Sequence, residues 1–170
     1  MNTPSDATLL ALSGLSSGLW RIQELLELLT YKLEVQHVLI ETGRSRWMGR
    51  STREIEIILQ EMREAELMRS VDAGPVCDAL GLDPDTPLSE IADAAPAPWN
   101  QVLTEHRAAL TKATSELSLL SKSNSDMLEA SYRAVQETLD RFNHTSEGAT
   151  YTASGARESR RSHHLFDQKT

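Results

Sequence analysis

Apolar residues recur at alternating steps of three and four along the first part of the chain. The series begins at Leu12 and Leu15 and continues to Ile40, and Gln36 is its one polar member. This spacing is typical of an α-helix that buries one face against other helices. It predicts a first helix over residues 12–41, closed by Gly43 in the left-handed conformation that often ends helices.

A second row of apolar residues lies beside this stripe. Its members are Leu25, Leu28, Val35 and Leu39. A simple two-helix seam does not need so wide an apolar face. We therefore expect the first helix to pack against partners on two sides, as in a helical bundle.

The start of a second helix is marked by Ser51 and Glu54, which match the capping-box pattern. A further apolar stripe continues from there to about Val71. Gly74 and Pro75 follow, and this pair predicts the end of the helix.

Two short elements are predicted before the last helix. Residues 76–82 indicate a single helical turn closed by Gly81. Thr86 and Pro87 are a suitable cap and first residue for a short helix that ends near Ala94.

The last predicted helix is the longest and covers residues 98–143. Its stripe begins at Leu103, includes His106 and Asn124, and reaches Met127. From there the apolar positions shift sideways to a second stripe. That stripe consists of Leu128, Tyr132, Val135, Leu139 and Phe142. A bundle built on the shorter first helix cannot cover all of it, so we expect part of the second stripe to be available to a partner.

These patterns predict an all-α protein. The expected architecture is an elongated antiparallel helical bundle or coiled coil of three main helices with short connecting helices. Residues 12–143 would form the helical domain, after a flexible N-terminal segment over residues 1–11. Residues 144–170 are mostly polar or small, with only Leu165 and Phe166 as large aliphatic or phenyl side chains to bury, and we expect them to be a disordered, flexible C-terminal tail.

The composition of the chain argues against several classes of ligand, site and location. The net charge of −8 argues against nucleic acid as a ligand, because phosphate binding requires a basic surface. The single cysteine, Cys77, excludes an intramolecular disulfide and a cysteine-cluster zinc site, and its expected state is burial. The chain has no apolar run of about 20 residues and no basic, apolar leader at its start. We therefore expect a cytoplasmic protein that does not insert into membranes.

Candidate chemistry is sparse. Glu34 and His37 have the Glu-x-x-His spacing of di-iron bundles, but such sites need a second copy of the motif, which this sequence lacks. His163 and His164 are adjacent without helical spacing or nearby carboxylates. We expect no catalytic, cofactor or metal site, and hence no enzyme.

Four polar or aromatic residues allow two interpretations each. For His106 and Asn124, a hydrogen bond inside the bundle that sets the helix register is favoured over a ligand role. For Trp47, packing over the end of the bundle is favoured over recognition of a partner. Tyr151 is an isolated aromatic in the polar tail, and it is either a docking residue or without a role.

Five short segments follow the first predicted helices in a fixed order, namely Ala79–Leu82, Thr86–Ile91, Ser121–Asn124, Met127–Leu128 and Tyr151–Gly155. The order of all these features, from about Leu12 to Gly155, resembles the FlgN family of flagellar export chaperones. One position departs from the resemblance, since Ser121 stands where an asparagine is often expected.

The resemblance implies a function and partners. FlgN-like chaperones bind the hook-filament junction proteins FlgK and FlgL in the cytosol, prevent their early assembly and deliver them to the export gate. An uncovered apolar stripe is a natural docking surface for an amphipathic cargo helix, and this assigns cargo binding to the second stripe of the last helix. By resemblance, Tyr151 and Gly155 would dock to the cytoplasmic domain of the gate.

Two other classes of function stay open. One is a self-associating helical scaffold or coiled-coil adaptor, for example a homodimer. The sideways shift at Met127 and Leu128 argues against it, because a self-matching stripe would keep one phase. The other is a helical metal protein or enzyme, which the missing second Glu-x-x-His disfavours.

Overall fold

The computed structural model describes residues 5–147, with side chains as far as Arg141. The helices are α1 (Asp6–Glu41), α2 (Met48–Leu80), α3 (Leu88–Ala94) and α4 (Trp99–Glu147), and a 3₁₀ turn spans Ser45–Trp47. No strand occurs within residues 5–147, so the predicted all-α class is confirmed there. The chain divides into two units, one ending at Met127 and one beginning at Leu128.

Helix α1 begins six residues before its predicted start at Leu12. The Ser5 hydroxyl accepts a hydrogen bond from the Thr8 N–H at 3.2 Å and so caps the helix. Asp6 in the first turn adds a favourable charge at the helix N-terminus. Residues 6–11, expected to belong to a flexible segment, are therefore helical.

Gly43 ends α1 as predicted. Its φ of +64° is the left-handed conformation that glycine adopts without a steric penalty. The Arg44 N–H donates to the Leu39 carbonyl at 2.9 Å, and the Gly43 N–H donates to the Ile40 carbonyl at 3.1 Å. This pair of bonds is a Schellman motif.

The predicted bounds of the second helix are wrong at both ends. Helix α2 begins at Met48, so Ser51 lies inside it, buried, and does not cap it. It also continues through Gly74 and Pro75 to Leu80. Proline and glycine disfavour a helix interior, but tertiary burial of the residues that follow them outweighs this local preference.

Gly81 closes α2 itself, not a separate turn. Its φ is +69°, and the Leu82 N–H donates to the Cys77 carbonyl at 2.9 Å. The short helix α3 then begins at Leu88 with Pro87 as its N-cap residue, one position after the predicted cap at Thr86.

The core forms two clusters along α1. The first joins α1 to the end of α2, to α3 and to the start of α4, and its largest buried members are Leu12, Leu15, Leu19, Val76, Cys77, Ile91 and Leu103. The second joins the middle of α1 to the start of α2, with buried Leu25, Leu29, Leu33 and Ile58. Met62, Leu110 and Leu117 are partly buried and pack against these clusters.

Ion pairs show that α1 and α2 are antiparallel. Arg21 pairs with Glu61 at 2.9 Å, and Lys32, further along α1, pairs with Glu54, earlier in α2, at 2.7 Å.

Within the first unit, helix α4 runs parallel to α1. Its residue His106 contacts Ser16, and its later residue Asn124 contacts the Leu33 carbonyl. The three long helices thus alternate in direction along the chain, and α1 has a partner on each side, as the width of its apolar face predicted.

Candidate partner-binding surface

The second stripe of α4 is exposed. The described members, Leu128, Tyr132, Val135 and Leu139, have between 40 and 65% of their surface accessible. Their spacing of four, three and four residues places them on one face of the helix. The side chain of the fifth predicted member, Phe142, lies outside the described residues.

The opposite face of this helix segment is charged. Glu129 pairs with Arg133, and Glu137 with Arg141, each one turn apart. Pairs with the acid N-terminal to the base support a helix by a few tenths of a kcal/mol each, about 0.3–0.5. The segment is therefore amphipathic, with its apolar side open to solvent.

His106 forms a polar contact inside the bundle. It is 4% exposed, and its Nδ1 accepts a hydrogen bond from Gln23 Nε2 at 2.8 Å. The other ring nitrogen then carries the proton and donates to Ser16 Oγ at 2.9 Å. Burial lowers the pKa of His106, and the nearby Glu105 carboxylate opposes this shift. The predicted hydrogen bonding of His106 inside the bundle is confirmed.

Asn124 forms a second such contact and is 2% exposed. Its Nδ2 donates to the Leu33 carbonyl at 2.9 Å and, more weakly, to Gln36 Oε1 at 3.4 Å. Its Oδ1 accepts from His37 Nδ1 at 2.7 Å. Ser121, at the position that departs from the family pattern, is exposed and takes no part in this contact.

These contacts also occupy the histidine of the Glu-x-x-His motif. His37 bonds to Asn124 through Nδ1, and its Nε2 lies 3.5 Å from Glu41. Within the part of the chain that the structure describes, no group of three or more His, Cys, Asp or Glu side chains is placed to hold a metal ion.

The comparisons with known proteins identify the family. The sequence model of the FlgN protein family matches residues 11–159, most of the chain. The chain belongs to the FlgN family. FlgN proteins are flagellar export chaperones, not enzymes, and membership supports that role here. No curated protein and no solved structure gives a significant match.

The FlgN match includes every residue proposed for partner binding. It covers the α4 stripe and also Tyr151 and Gly155, which lie outside the described residues. The family suggests binding of flagellar hook-associated proteins. None of the described helices is long and apolar enough to cross a membrane.

Trp47 and Cys77 have different environments. Trp47 is 41% exposed, with the Arg46 guanidinium 5.0 Å from its ring centre, and it belongs to neither core cluster. Cys77 is fully buried, as expected, and burial together with the neighbouring Asp78 raises the pKa of its thiol.

One exposed surface was missed by the sequence analysis. Leu28 and Val35 were expected to be covered by bundle partners, yet they are 42 and 37% exposed. The neighbouring Leu25 is buried as expected. Two residues of the sequence could have indicated this surface. Tyr31 and Val38 continue Leu28 and Val35 as a separate row at helical spacing.

Proposed function

We propose that this FlgN-family chain is a cytoplasmic chaperone that binds amphipathic terminal helices of FlgK and FlgL through the exposed α4 stripe. The residues of this cargo site are Leu128, Tyr132, Val135, Leu139 and Phe142. The observation that supports the proposal is an apolar face left open on a helix whose other face carries charged pairs.

The expected binding free energy suits a chaperone that covers its cargo helices reversibly. Burying one Leu- or Phe-sized side chain contributes roughly 1.5–3 kcal/mol, and the stripe offers several. After the loss of translational freedom and side-chain entropy, the remainder corresponds to micromolar or better binding. Cargo helices held in this way cannot assemble early, and they can still be released at the export apparatus.

The test of the cargo site replaces Val135 and Leu139 together with Ser. We expect at least about a tenfold loss of affinity for purified FlgK or FlgL in calorimetry, because two apolar contacts are removed. A matched control replaces Ala130 and Ala134 with Ser. Those residues are exposed on the other side of the same helix segment, so cargo affinity should be unchanged.

Three outcomes would contradict the cargo site. Normal cargo binding by the Val135/Leu139 variant would place the cargo elsewhere, and a loss of helical signal in that variant alone would assign the stripe to the core. A chain that binds no cargo helix but sediments as a concentration-dependent oligomer would favour the self-associating scaffold.

Delivery to the export gate is assigned to Tyr151 and Gly155, on the basis of the family resemblance. An aromatic ring buries a large area with few rotatable bonds, which suits a short docking motif. We expect Tyr151→Ala to weaken binding to the cytoplasmic domain of the gate and secretion of the junction proteins, with cargo affinity unchanged. Tyr151→Phe keeps the ring and is the control. Unaltered gate binding by Tyr151→Ala would leave this residue without a role, and lost cargo binding would move it into the cargo site.

A further inference from the structure

Helix α1 carries a second exposed apolar surface, the α1 row. Its members are Leu28, Tyr31, Val35 and Val38, each 37–57% exposed. Their spacing of three, four and three residues is that of the a and d positions of a coiled coil. Tyr31, Val35 and Val38 line a shallow concavity together with Glu34 and Leu39.

The row is not part of the bundle core. The adjacent residues Leu25, Leu29 and Leu33 are buried in the cluster that α1 shares with α2. The α1 row therefore lies on a face of α1 that neither of its two long partners covers.

Acidic residues run along one side of the row. Glu27, Glu34 and Glu41 follow one another at intervals of seven and occupy the g positions of the same heptad. No ion pair formed by the described residues involves Glu27 or Glu34. Their charge is thus free to act on a partner.

The basic side chain on this part of α1, Lys32, already forms an ion pair with a residue of α2. Lys32 Nζ lies 5.6 Å from the centre of the Tyr31 ring, and it binds Glu54 at 2.7 Å. Together with Arg50, Lys32 lowers the pKa of Glu54 to about 2, as expected for a strongly paired carboxylate. Lys32 therefore does not neutralise Glu27 or Glu34.

We propose that the α1 row docks an amphipathic helix of a partner protein in which Lys or Arg residues flank an apolar a/d seam. The apolar side chains would fill the row, and the basic side chains would pair with Glu27 and Glu34. This pairing is the one that g-position charges select in coiled coils. The proposal does not depend on the cargo site, because it concerns a different helix.

A second copy of this chain fits the α1 row less well. An antiparallel copy would bring Glu27 and Glu34 against the same acidic residues. A parallel copy would offer them Lys32, which is held by Glu54, and Leu39, which has no charge.

The experiment uses two synthetic, fluorescently labelled peptides and the full-length chain. Both peptides have the same Leu and Ile residues at a and d over roughly three heptads, and one carries Lys and the other Glu at the flanking positions. We expect the basic peptide to bind at least about tenfold more tightly in anisotropy titrations, and this preference to shrink in high salt.

Variants then locate the bound peptide. Replacing Val35 and Val38 with Ser should weaken the basic peptide at least about tenfold, and Tyr31→Ala provides a second variant if that pair fails to fold. Replacing Glu27 and Glu34 with Gln should reduce the preference for the basic peptide without changing the melting temperature. The α4 variant with Ser at positions 135 and 139 should bind the basic peptide like the wild type.

Three results would overturn the proposal. Equal affinities for the two peptides would show that Glu27 and Glu34 do not select a basic partner helix. If the α4 variant lost peptide binding while the α1 variants bound the peptide like the wild type, the peptide would lie on the α4 stripe. A wild-type dimer in sedimentation that disappears on replacing Val35 and Val38 would identify a second copy as the occupant.

Discussion

His106 is a titratable side chain held inside the bundle by hydrogen bonds from α1. Gln23 donates to one ring nitrogen, and Ser16 accepts from the other, which fits a neutral imidazole only. The edge-on Trp20 ring, 5.1 Å away, adds a further contact. Among the described residues, every buried side-chain nitrogen and oxygen has a hydrogen-bond partner.

This arrangement predicts a pH dependence of stability. The pKa of His106 is lowered in the folded protein from an ordinary value of 6.5, mainly by burial. As the pH falls below that value, the unfolded chain binds a proton that the folded state resists, so the free energy of unfolding decreases. Above about pH 7 both states are neutral at this residue and the contribution is constant.

Urea denaturation of the wild type and of His106→Gln at several pH values between about 5 and 8 measures this effect. Below pH 7 the free energy of unfolding should decrease less in the variant than in the wild type, because residue 106 no longer titrates. Wild-type and variant curves that stay parallel over the whole range would show that His106 does not resist protonation.

Helix α2 is the element in which local signals and the fold disagree. Gly74 and Pro75 predict a helix end, yet Ala73, Val76 and Cys77 around them are buried in the first core cluster. Burial of these side chains against α1 and α4 requires the helix to continue. The local penalty is thus outweighed by apolar burial, at roughly 0.8 kcal/mol per buried methylene.

Two alanine variants test the course of α2. Pro75→Ala should raise the free energy of unfolding by about 1–3 kcal/mol, because Pro75 is an exposed residue inside a helix, where its ring removes a backbone hydrogen bond and crowds the preceding turn. Gly81→Ala should lower it by about 1–2 kcal/mol, because alanine is strained at a φ of +69°. Urea titrations followed by circular dichroism give both values. A Pro75→Ala protein less stable than the wild type would show that α2 is not continuous at this residue.

In the first unit as a whole, α1 is the helix that both other long helices contact. Leu26, at its centre, is 2% exposed. Replacing it with Asp removes apolar burial and places an unpaired carboxylate in the core. We expect Leu26→Asp to lose at least about 3 kcal/mol of stability or to be unfolded at room temperature.

The matched control for this prediction is Leu28→Asp. Leu28 lies on the same helix two residues away but is 42% exposed, so the new carboxylate stays in water. Its melting temperature in circular dichroism should be close to that of the wild type. A Leu26→Asp protein that melted with the Leu28→Asp protein would show that α1 is not enclosed as described.

The features that depend on local chemistry were predictable from the residues alone. Helical spacing of apolar residues indicated the all-α class, and Gly43 and Gly81 were identified as helix ends because few other residues adopt a positive φ. The position of His106 and Asn124 on an apolar stripe was enough to predict their burial. The order of short motifs led to the FlgN family, which the family comparison confirms.

Which apolar faces are covered depends instead on how the helices pack. This packing carried α2 through Pro75, set α4 parallel to α1, and left Leu28 and Val35 in solvent while Leu25 was buried. A helical stripe indicates that one face is apolar, but it does not indicate which neighbouring helix packs on that face. That choice depends on contacts between residues far apart in the chain, here between positions such as Leu33 and Asn124, and local spacing contains no record of them.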